Sequence, residues 1–131
     1  MIIAVDFDGT IVEDKYPRIG KLRENSIEVL KKLQEEGHYI ILWTCRDGSE
    51  LEEAVLFLKE NGFVPDKIND HSDKMIELYP NSKSKKVYAD IYIDDRNFSS
   101  CCNDIFTDWK FIYKAISGKE LWLGKKRKKK N

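Results

Sequence analysis

Two aspartates stand one residue apart where a short apolar run meets a glycine. The run Ile2–Val5 is β-branched or small and carries no charge, which predicts a strand buried on both faces of a parallel sheet. Asp6 and Asp8 follow it, and Gly9 comes next. Open α/β sheets bind ligands at the carboxyl ends of their strands, where carboxylates hold divalent cations. The pattern favours phosphoryl chemistry, although an isolated pair with this spacing also occurs in ordinary solvated turns.

Two later predicted strands are also followed by polar side chains that could bind a metal ion or a phosphate. The apolar stretch 38–44 predicts a strand that ends at Thr44, and the stretch 87–93 predicts another that runs into Asp94 and Asp95. Parallel strands end at the same edge of a sheet, so we expect these groups to gather near Asp6 around one Mg²⁺ ion.

The elements that must position these groups alternate between helix and strand. Apolar periodicity and Gly or Pro stop signals predict helices over 24–36, 47–61, 73–79 and 109–116, a short strand over 67–69 and a loop over 11–23. We expect residues 121–123 to pack back on the body. This order predicts an α/β, Rossmann-like, three-layer fold, a parallel sheet with helices on both faces.

Length and charge divide the chain unequally. A length of 131 residues suits one domain, which we assign to residues 1–124. Residues 125–131 hold six Lys or Arg, so the net charge of zero leaves the body acidic. We expect this basic tail to be disordered; it is also a candidate contact for nucleic acid or an acidic partner.

Cysteine usage and hydropathy limit the setting of the protein. Cys45, Cys101 and Cys102 form an odd set with no CxxC or histidine spacing, which argues against a zinc site or a disulfide framework and favours a reduced, cytoplasmic environment. No apolar stretch approaches the length of a membrane span. We therefore expect no membrane partner, while an oligomer remains open.

Taken in order, the motifs resemble those of the haloacid dehalogenase superfamily of phosphohydrolases: a DxDxT sequence, a Ser or Thr after a hydrophobic strand, a Lys, and paired acids. The resemblance covers residues 1–97. The segments DFDGTIVE, ILWTCR and ADIYIDDRN are most similar to small members without a cap domain that are regarded as phosphatases, and more faintly to deoxyribonucleotidases.

The resemblance implies a role for each motif residue. Asp6 would be the nucleophile that forms an aspartyl-phosphate, and Asp8 the general acid and base, with Mg²⁺ and a lysine offsetting the repulsion between two anions. The metal group is Asp6, Asp8 (through its backbone carbonyl), Asp94 and Asp95. The phosphate-binding group is Phe7, Gly9, Thr44 and Cys45, and we expect the Cys45 thiol to be buried and inert.

The catalytic lysine is the open position. Lys86 best matches the family's basic position, with Lys83 and Lys85 beside it, but a residue at the start of a strand lies at the wrong edge unless the chain doubles back. Lys74, near the start of a predicted helix, answers that objection better. Arg46 and Arg96 follow site motifs and could contact substrate or pair with site acids. We expect His38 and His71 to be surface or partner-satisfied histidines.

The chain has no room for a cap domain. Only residues 11–23 separate the first motif from its helix, so the site should be open, which suits a large phosphorylated substrate such as a nucleic-acid end, a phosphoprotein or a glycan, or cover from a neighbouring subunit. The alternative is a noncatalytic phosphate- or partner-binding module. A signalling receiver domain has a different order, with its metal-binding acids at the first strand and a lone Asp later.

Overall fold

The computed structural model of the protein describes residues 1–98 and 107–124. The elements in this part of the chain alternate as predicted: β1 (Ile2–Val5), α1 (Ser26–Glu35), β2 (Tyr39–Leu42), α2 (Gly48–Glu60), β3 (Lys67–Ile68), α3 (Asp73–Leu78), β4 (Ile91–Ile93) and α4 (Trp109–Ser117). Most predicted bounds agree with these to within two residues. Cys101, Cys102 and the predicted basic tail lie outside the described residues.

The strands form one parallel sheet in the order β3-β2-β1-β4. Ile3 lies opposite Ile40 of β2 on one side and Ile91 of β4 on the other. From β1 the chain proceeds outward through β2 to β3 and then returns to the other side of β1. The strand order therefore reverses between β1 and β4, and open α/β sheets place their ligand crevice at the carboxyl side of such a switch point.

Side chains of the central strands alternate between two cores. Ile3 and Val5 point into the larger core, which is built with buried residues of α1, α2 and α4. Ala4 points the other way and packs with Ile41, Val87 and Ala89. This arrangement confirms the three-layer α/β fold and the burial of β1 on both faces. The second layer is thin, because α3 buries none of its side chains.

The last predicted strand is shorter than expected. Residues 87–90 are not part of β4, which begins at Ile91. The Asp90 carboxylate accepts a hydrogen bond from the amide of Ile2 at 2.7 Å, and the Asp90 amide donates to the Ile2 carbonyl at 2.8 Å. Before Asp90 the chain lies across the sheet face, where Val87 and Ala89 fill the smaller core. The apolar pattern that predicted strand here reflects burial against the sheet.

The segment 11–23 is a short loop closed on itself. The Glu13 amide donates to the Lys21 carbonyl at 2.8 Å, and the Arg23 amide donates to the Ile11 carbonyl at 2.9 Å. A Cβ on Gly20 would lie 2.0 Å from the Glu13 carbonyl oxygen, so this tight pairing requires glycine. No further domain is inserted between β1 and α1, as predicted.

At the other end of the described chain, the prediction for residues 121–123 holds in part. Leu121 packs against the larger core, whereas Trp122 and Leu123 are exposed.

Candidate metal and phosphate site

Three carboxylates meet at the switch point of the sheet. Asp6 follows β1, and Asp94 and Asp95 follow β4, and one oxygen from each lies within 4.8 Å of the others. The Asp6 amide donates to the Ile93 carbonyl at 3.0 Å, which joins the ends of the two strands. The structure thus brings together three of the four residues assigned to the metal by sequence. Three half-buried carboxylates are a donor set that suits Mg²⁺.

Thr10 links two of these carboxylates. Its buried hydroxyl lies 3.1 Å from Asp6 Oδ2 and 3.4 Å from Asp95 Oδ1, and it accepts a hydrogen bond from the Asp95 amide at 3.0 Å. The indole Nε1 of Trp109 holds the Thr10 carbonyl at 3.0 Å. Sequence analysis gave Thr10 no role, although its place in the DFDGT motif was a signal for one.

Gly9 serves the site differently from the prediction. Its φ is +87°, and a Cβ there would lie 2.3 Å from Asp95 Oδ2, so the glycine makes space for that carboxylate. Its amide donates to the Val12 carbonyl at 2.8 Å and is not available to an anion. The amides of Phe7 and Asp8 donate to no group in the described ranges, and Phe7 is buried. Since buried amides are nearly always paired, these two amides are candidate donors to a phosphate oxygen in this turn.

The electrostatics of the cluster favour a bound cation. Burial, followed by the nearby charges of Asp94 and Asp95, raises the pKa of Asp6 from 3.8 to about 8. Burial also raises the pKa of Asp94. Within residues 1–98 and 107–124 no Lys or Arg forms an ion pair with these three carboxylates. A divalent cation among them would stabilise their ionised forms and remove the repulsion.

Asp8 stands apart from this cluster because Arg46 holds it. Arg46 Nε lies 2.7 Å from Asp8 Oδ2, and Arg46 Nη2 lies 2.8 Å from Asp8 Oδ1. The expectation that Arg46 pairs with a site acid is therefore met. The Asp8 side chain remains 16% exposed and so is still open to a substrate.

Thr44 lies on the turn after β2, next to Arg46. Its hydroxyl accepts the Arg46 amide at 3.1 Å, which leaves the hydroxyl proton free to donate, and its own amide donates to Asn69 Oδ1 at 2.8 Å. Asn69 was missed by sequence analysis; its positive φ of 49° appears only in the structure. Cys45 is exposed, so the expectation of a buried thiol was wrong. The strand ends at Leu42, and Cys45 lies on the turn beyond the sheet.

The lysine candidates separate by their position along the sheet. The chain before β4 doubles back: the Ser84 carbonyl contacts His71 Nε2 at 2.9 Å, just after β3, and the Lys86 ammonium lies 5.4 Å from the ring centre of Tyr92. Lys86 therefore lies along the face of the sheet and not at the start of β4, and it stays a candidate for the catalytic lysine. Lys74 instead lines a cavity with Met1 and Gly37 at the amino edge, so the geometric advantage given to it was wrong.

That position of Lys74 follows from where α3 begins. The Asp73 carboxylate bonds Lys67 Nζ at 2.8 Å, and Lys67 is the first residue of β3, so the helix starts near the amino end of that strand. Lys83 and Lys85 form no ion pair with any residue in the described part of the chain.

The remaining candidates behave as predicted or stay peripheral. His38 Nδ1 lies 2.9 Å from the terminal amino group, and His71 contacts the Ser84 carbonyl and the Tyr88 amide, so both histidines have partners. The Arg96 side chain is exposed and lies 3.9 Å from Asp14, while its amide donates to Asp94 Oδ1 at 2.8 Å.

The described helices include none that is long and apolar enough to cross a membrane.

A search of curated proteins returned no match. Among solved structures, a conserved protein from Bacteroides thetaiotaomicron is 40% identical, with 92% of this chain and 93% of that chain covered and a TM-score of 0.77. The family model described as haloacid dehalogenase-like hydrolase matches residues 3–128. With its DFDGT motif at the switch point, the chain belongs to the haloacid dehalogenase-like hydrolase family.

Proposed function

We propose that this hydrolase is a Mg²⁺-dependent phosphomonoesterase that works through an aspartyl-phosphate on Asp6. The observation that carries the proposal is the convergence of Asp6, Asp94 and Asp95 within 4.8 Å, with Asp8 two residues beyond the nucleophile. A site that only bound phosphate would have no need of a second carboxylate so placed.

The residues present fit a magnesium ion. The oxygens of Asp6, Asp94 and Asp95 would hold it, and the backbone carbonyl of Asp8 is the fourth candidate ligand. Burial, and after it the charges of Asp94 and Asp95, raises the pKa of Asp6 to about 8, so ionised Asp6 is disfavoured when no cation is present. When bound, the ion would neutralise charge on the phosphoryl group and on the attacking carboxylate.

In the first step one Asp6 carboxylate oxygen attacks phosphorus, and the bond between phosphorus and the leaving oxygen breaks. The Asp8 carboxyl group gives its proton to that oxygen, so the product leaves as an alcohol. The Phe7 and Asp8 amides, the Thr44 hydroxyl and the Lys86 ammonium are the donors that we assign to the phosphoryl oxygens. Because the turn after β2 leaves Cys45 exposed, its backbone amide could also donate to a phosphoryl oxygen.

In the second step water attacks the phosphorus of the aspartyl-phosphate. The Asp8 carboxylate accepts the proton of that water, the bond between phosphorus and Asp6 breaks, and inorganic phosphate is released. Asp8 is then protonated again and Asp6 is free, so the cycle closes without another reactant.

The substrate class follows from the open site. Residues 11–25 are the whole connection between the first motif and α1, so we propose a large phosphorylated substrate, or cover by a neighbouring subunit. The exposed free thiol of Cys45 suits a reducing compartment, so we place the enzyme in the cytoplasm.

The deciding experiment is hydrolysis of p-nitrophenyl phosphate with and without Mg²⁺ by the wild type and Asp6→Asn. We expect Mg²⁺-dependent turnover in the wild type and a loss of about 10³-fold or more in Asp6→Asn, as for removal of a nucleophile. Asp73→Asn is the matched control, because that aspartate is exposed and bonds Lys67 at the opposite edge of the sheet.

Equal turnover by the wild type and Asp6→Asn would remove Asp6 from the mechanism. Saturable phosphate binding without turnover, in protein that Mg²⁺ stabilises, would favour the noncatalytic module instead. Trapping of the phosphorylated enzyme by rapid acid quench, followed by mass spectrometry of the peptide that contains Asp6, distinguishes these outcomes directly.

A further inference from the structure

The side chain of Arg46 is the most heavily bonded polar group in the described part of the site. It is 2% exposed, yet each of its five N–H groups has an acceptor. Nε and one hydrogen of Nη2 bind the two oxygens of Asp8; the other Nη2 hydrogen binds the Arg18 carbonyl at 3.0 Å, and Nη1 binds the carbonyls of Pro17 and Glu50, each at 3.2 Å.

These bonds join three parts of the molecule at one guanidinium group. Asp8 belongs to the turn after β1, Glu50 to the first turn of α2, and Pro17 and Arg18 to the loop 11–23. The rings of Phe7 and Tyr16 each have their centres 5.2 Å from Arg46 Cζ. A planar, five-donor side chain can satisfy this geometry, whereas a lysine has three donors and no plane.

We propose that Arg46 is a positioning residue that fixes the Asp8 carboxyl group for proton transfer and couples it to the loop 11–23. This inference rests on the proposed function, because it deepens the role given there to Asp8. In a protein without a cap domain, the loop 11–23 would then do part of what a cap does, because it would help to hold the Asp8 carboxyl group in place beside the phosphoryl group.

The physical argument is one of orientation. Each Asp8 oxygen accepts one N–H group from the fork and keeps another lone pair for the leaving oxygen or for water. Without the fork the carboxyl group is free to rotate, and misplacement by about 1 Å costs on the order of 10²-fold in rate. The cost falls on proton transfer, so it depends on how much the leaving group needs a proton.

The test compares two substrates. The leaving group of p-nitrophenyl phosphate departs without a proton, whereas the leaving group of phenyl phosphate depends more strongly on receiving one. All rates are compared as kcat/KM, which reports the first step alone, because the second step also uses Asp8 and is the same for both substrates. Both Asp8→Asn and Arg46→Lys should lose about 10²-fold in kcat/KM with phenyl phosphate, and both should lose less than about tenfold with p-nitrophenyl phosphate. Arg46→Lys added to Asp8→Asn should cost nothing further, because both changes remove the same function. Arg18→Lys is the matched control, because that residue accepts the Arg46 hydrogen bond through its backbone carbonyl, which the substitution keeps.

A second variant covers the case in which Arg46→Lys does not fold. Tyr16 is 58% exposed, so Tyr16→Leu should fold normally while it removes one ring from the guanidinium. We expect a loss of about threefold with phenyl phosphate, from a weakened cation–π contact, and none with p-nitrophenyl phosphate. Circular dichroism and thermal unfolding show whether each variant is folded.

Equal losses on the two substrates in folded Arg46→Lys, or additive losses with Asp8→Asn, would overturn the proposal and leave Arg46 a structural residue. Where only Tyr16→Leu folds, wild-type rates on both substrates would overturn the coupling to the loop. Failure of the proposed function is a different result: Asp6→Asn would then retain wild-type turnover. If Asp6→Asn is inactive and only the Arg46 and Tyr16 results fail, the proposed function stands.

Discussion

Replacing Gly9 by alanine tests the geometry of the metal site with the smallest change of side chain. The new Cβ would lie 2.3 Å from Asp95 Oδ2 and 2.7 Å from Asp95 Cγ. Ordinary contact begins at 3.4 Å, so the Asp95 carboxylate must move by about 1.1 Å. The substitution therefore acts on a proposed metal ligand without removing any of its atoms.

Two costs follow from the structure, and a control separates them. The φ of +87° costs an alanine about 1–2 kcal/mol of folding free energy, whatever space is available. Gly37 has a φ of +91°, and a Cβ there would meet nothing within 4 Å. Gly37→Ala should therefore carry the backbone cost alone. The displacement of Asp95 adds a loss of about 10²-fold in kcat/KM, as expected for misplacement by about 1 Å.

The assay measures thermal unfolding and hydrolysis of p-nitrophenyl phosphate for both variants, across a Mg²⁺ titration. We expect similar decreases of Tm without Mg²⁺, about 3–10 °C for a domain of this size. Only Gly9→Ala should lose activity, and only Gly9→Ala should need more Mg²⁺ to regain stability.

Equal kcat/KM values for Gly9→Ala and Gly37→Ala would refute the reasoning. The contact between Gly9 and Asp95 would then have no bearing on the metal site. A rise in Mg²⁺ requirement in both variants would have the same meaning, because Gly37 lies with Met1 at the amino edge of the sheet.

Three further perturbations test the cluster and the tail. Burial and the neighbouring acids raise the pKa of Asp6 to about 8. Between pH 4 and 8 the unfolded chain therefore loses a proton that the folded chain keeps. The free energy of unfolding without metal should fall over that range. Asp6→Asn should flatten this dependence and raise the free energy of unfolding at pH 8 by at least about 1 kcal/mol; a dependence identical to that of the wild type in chelator would contradict it. Thr10→Val should lose about 1–3 kcal/mol of stability, because the part-buried Asp95 amide is left without its acceptor. Urea unfolding measures this loss, and an unchanged midpoint would contradict the prediction. Deletion of residues 125–131 should lower the salt concentration that elutes the protein from heparin while leaving hydrolysis of p-nitrophenyl phosphate unchanged; unaltered retention would contradict a role of the tail in polyanion binding.

The predictable part of this protein is carried by local patterns. The uncharged run of β-branched or small residues in Ile2–Val5 predicts a doubly buried strand, and helical periodicity with glycine stops predicts α1 and α2. Both signals are local, because burial and backbone conformation act over a few neighbouring residues. The strand predicted over 87–93 failed where the same apolar signal came from packing on the sheet face. The prediction of a buried Cys45 thiol was wrong for a related reason, since the position at which β2 ends decides whether that thiol is covered.

The sequence by itself determined the α/β order and the edge of the sheet at which Asp6, Thr44 and Asp94 lie. It also determined the family that the chain's motifs resemble. Only the tertiary structure decided that β4 lies beside β1, that Gly9 makes room for Asp95, that Arg46 holds Asp8, and that the chain carrying Lys86 doubles back while Lys74 faces the amino edge. The physical reason is range. Strand and helix preferences are set by neighbours in the chain, whereas an ion pair or a close approach is set by the distance between groups that folding brings together from far apart.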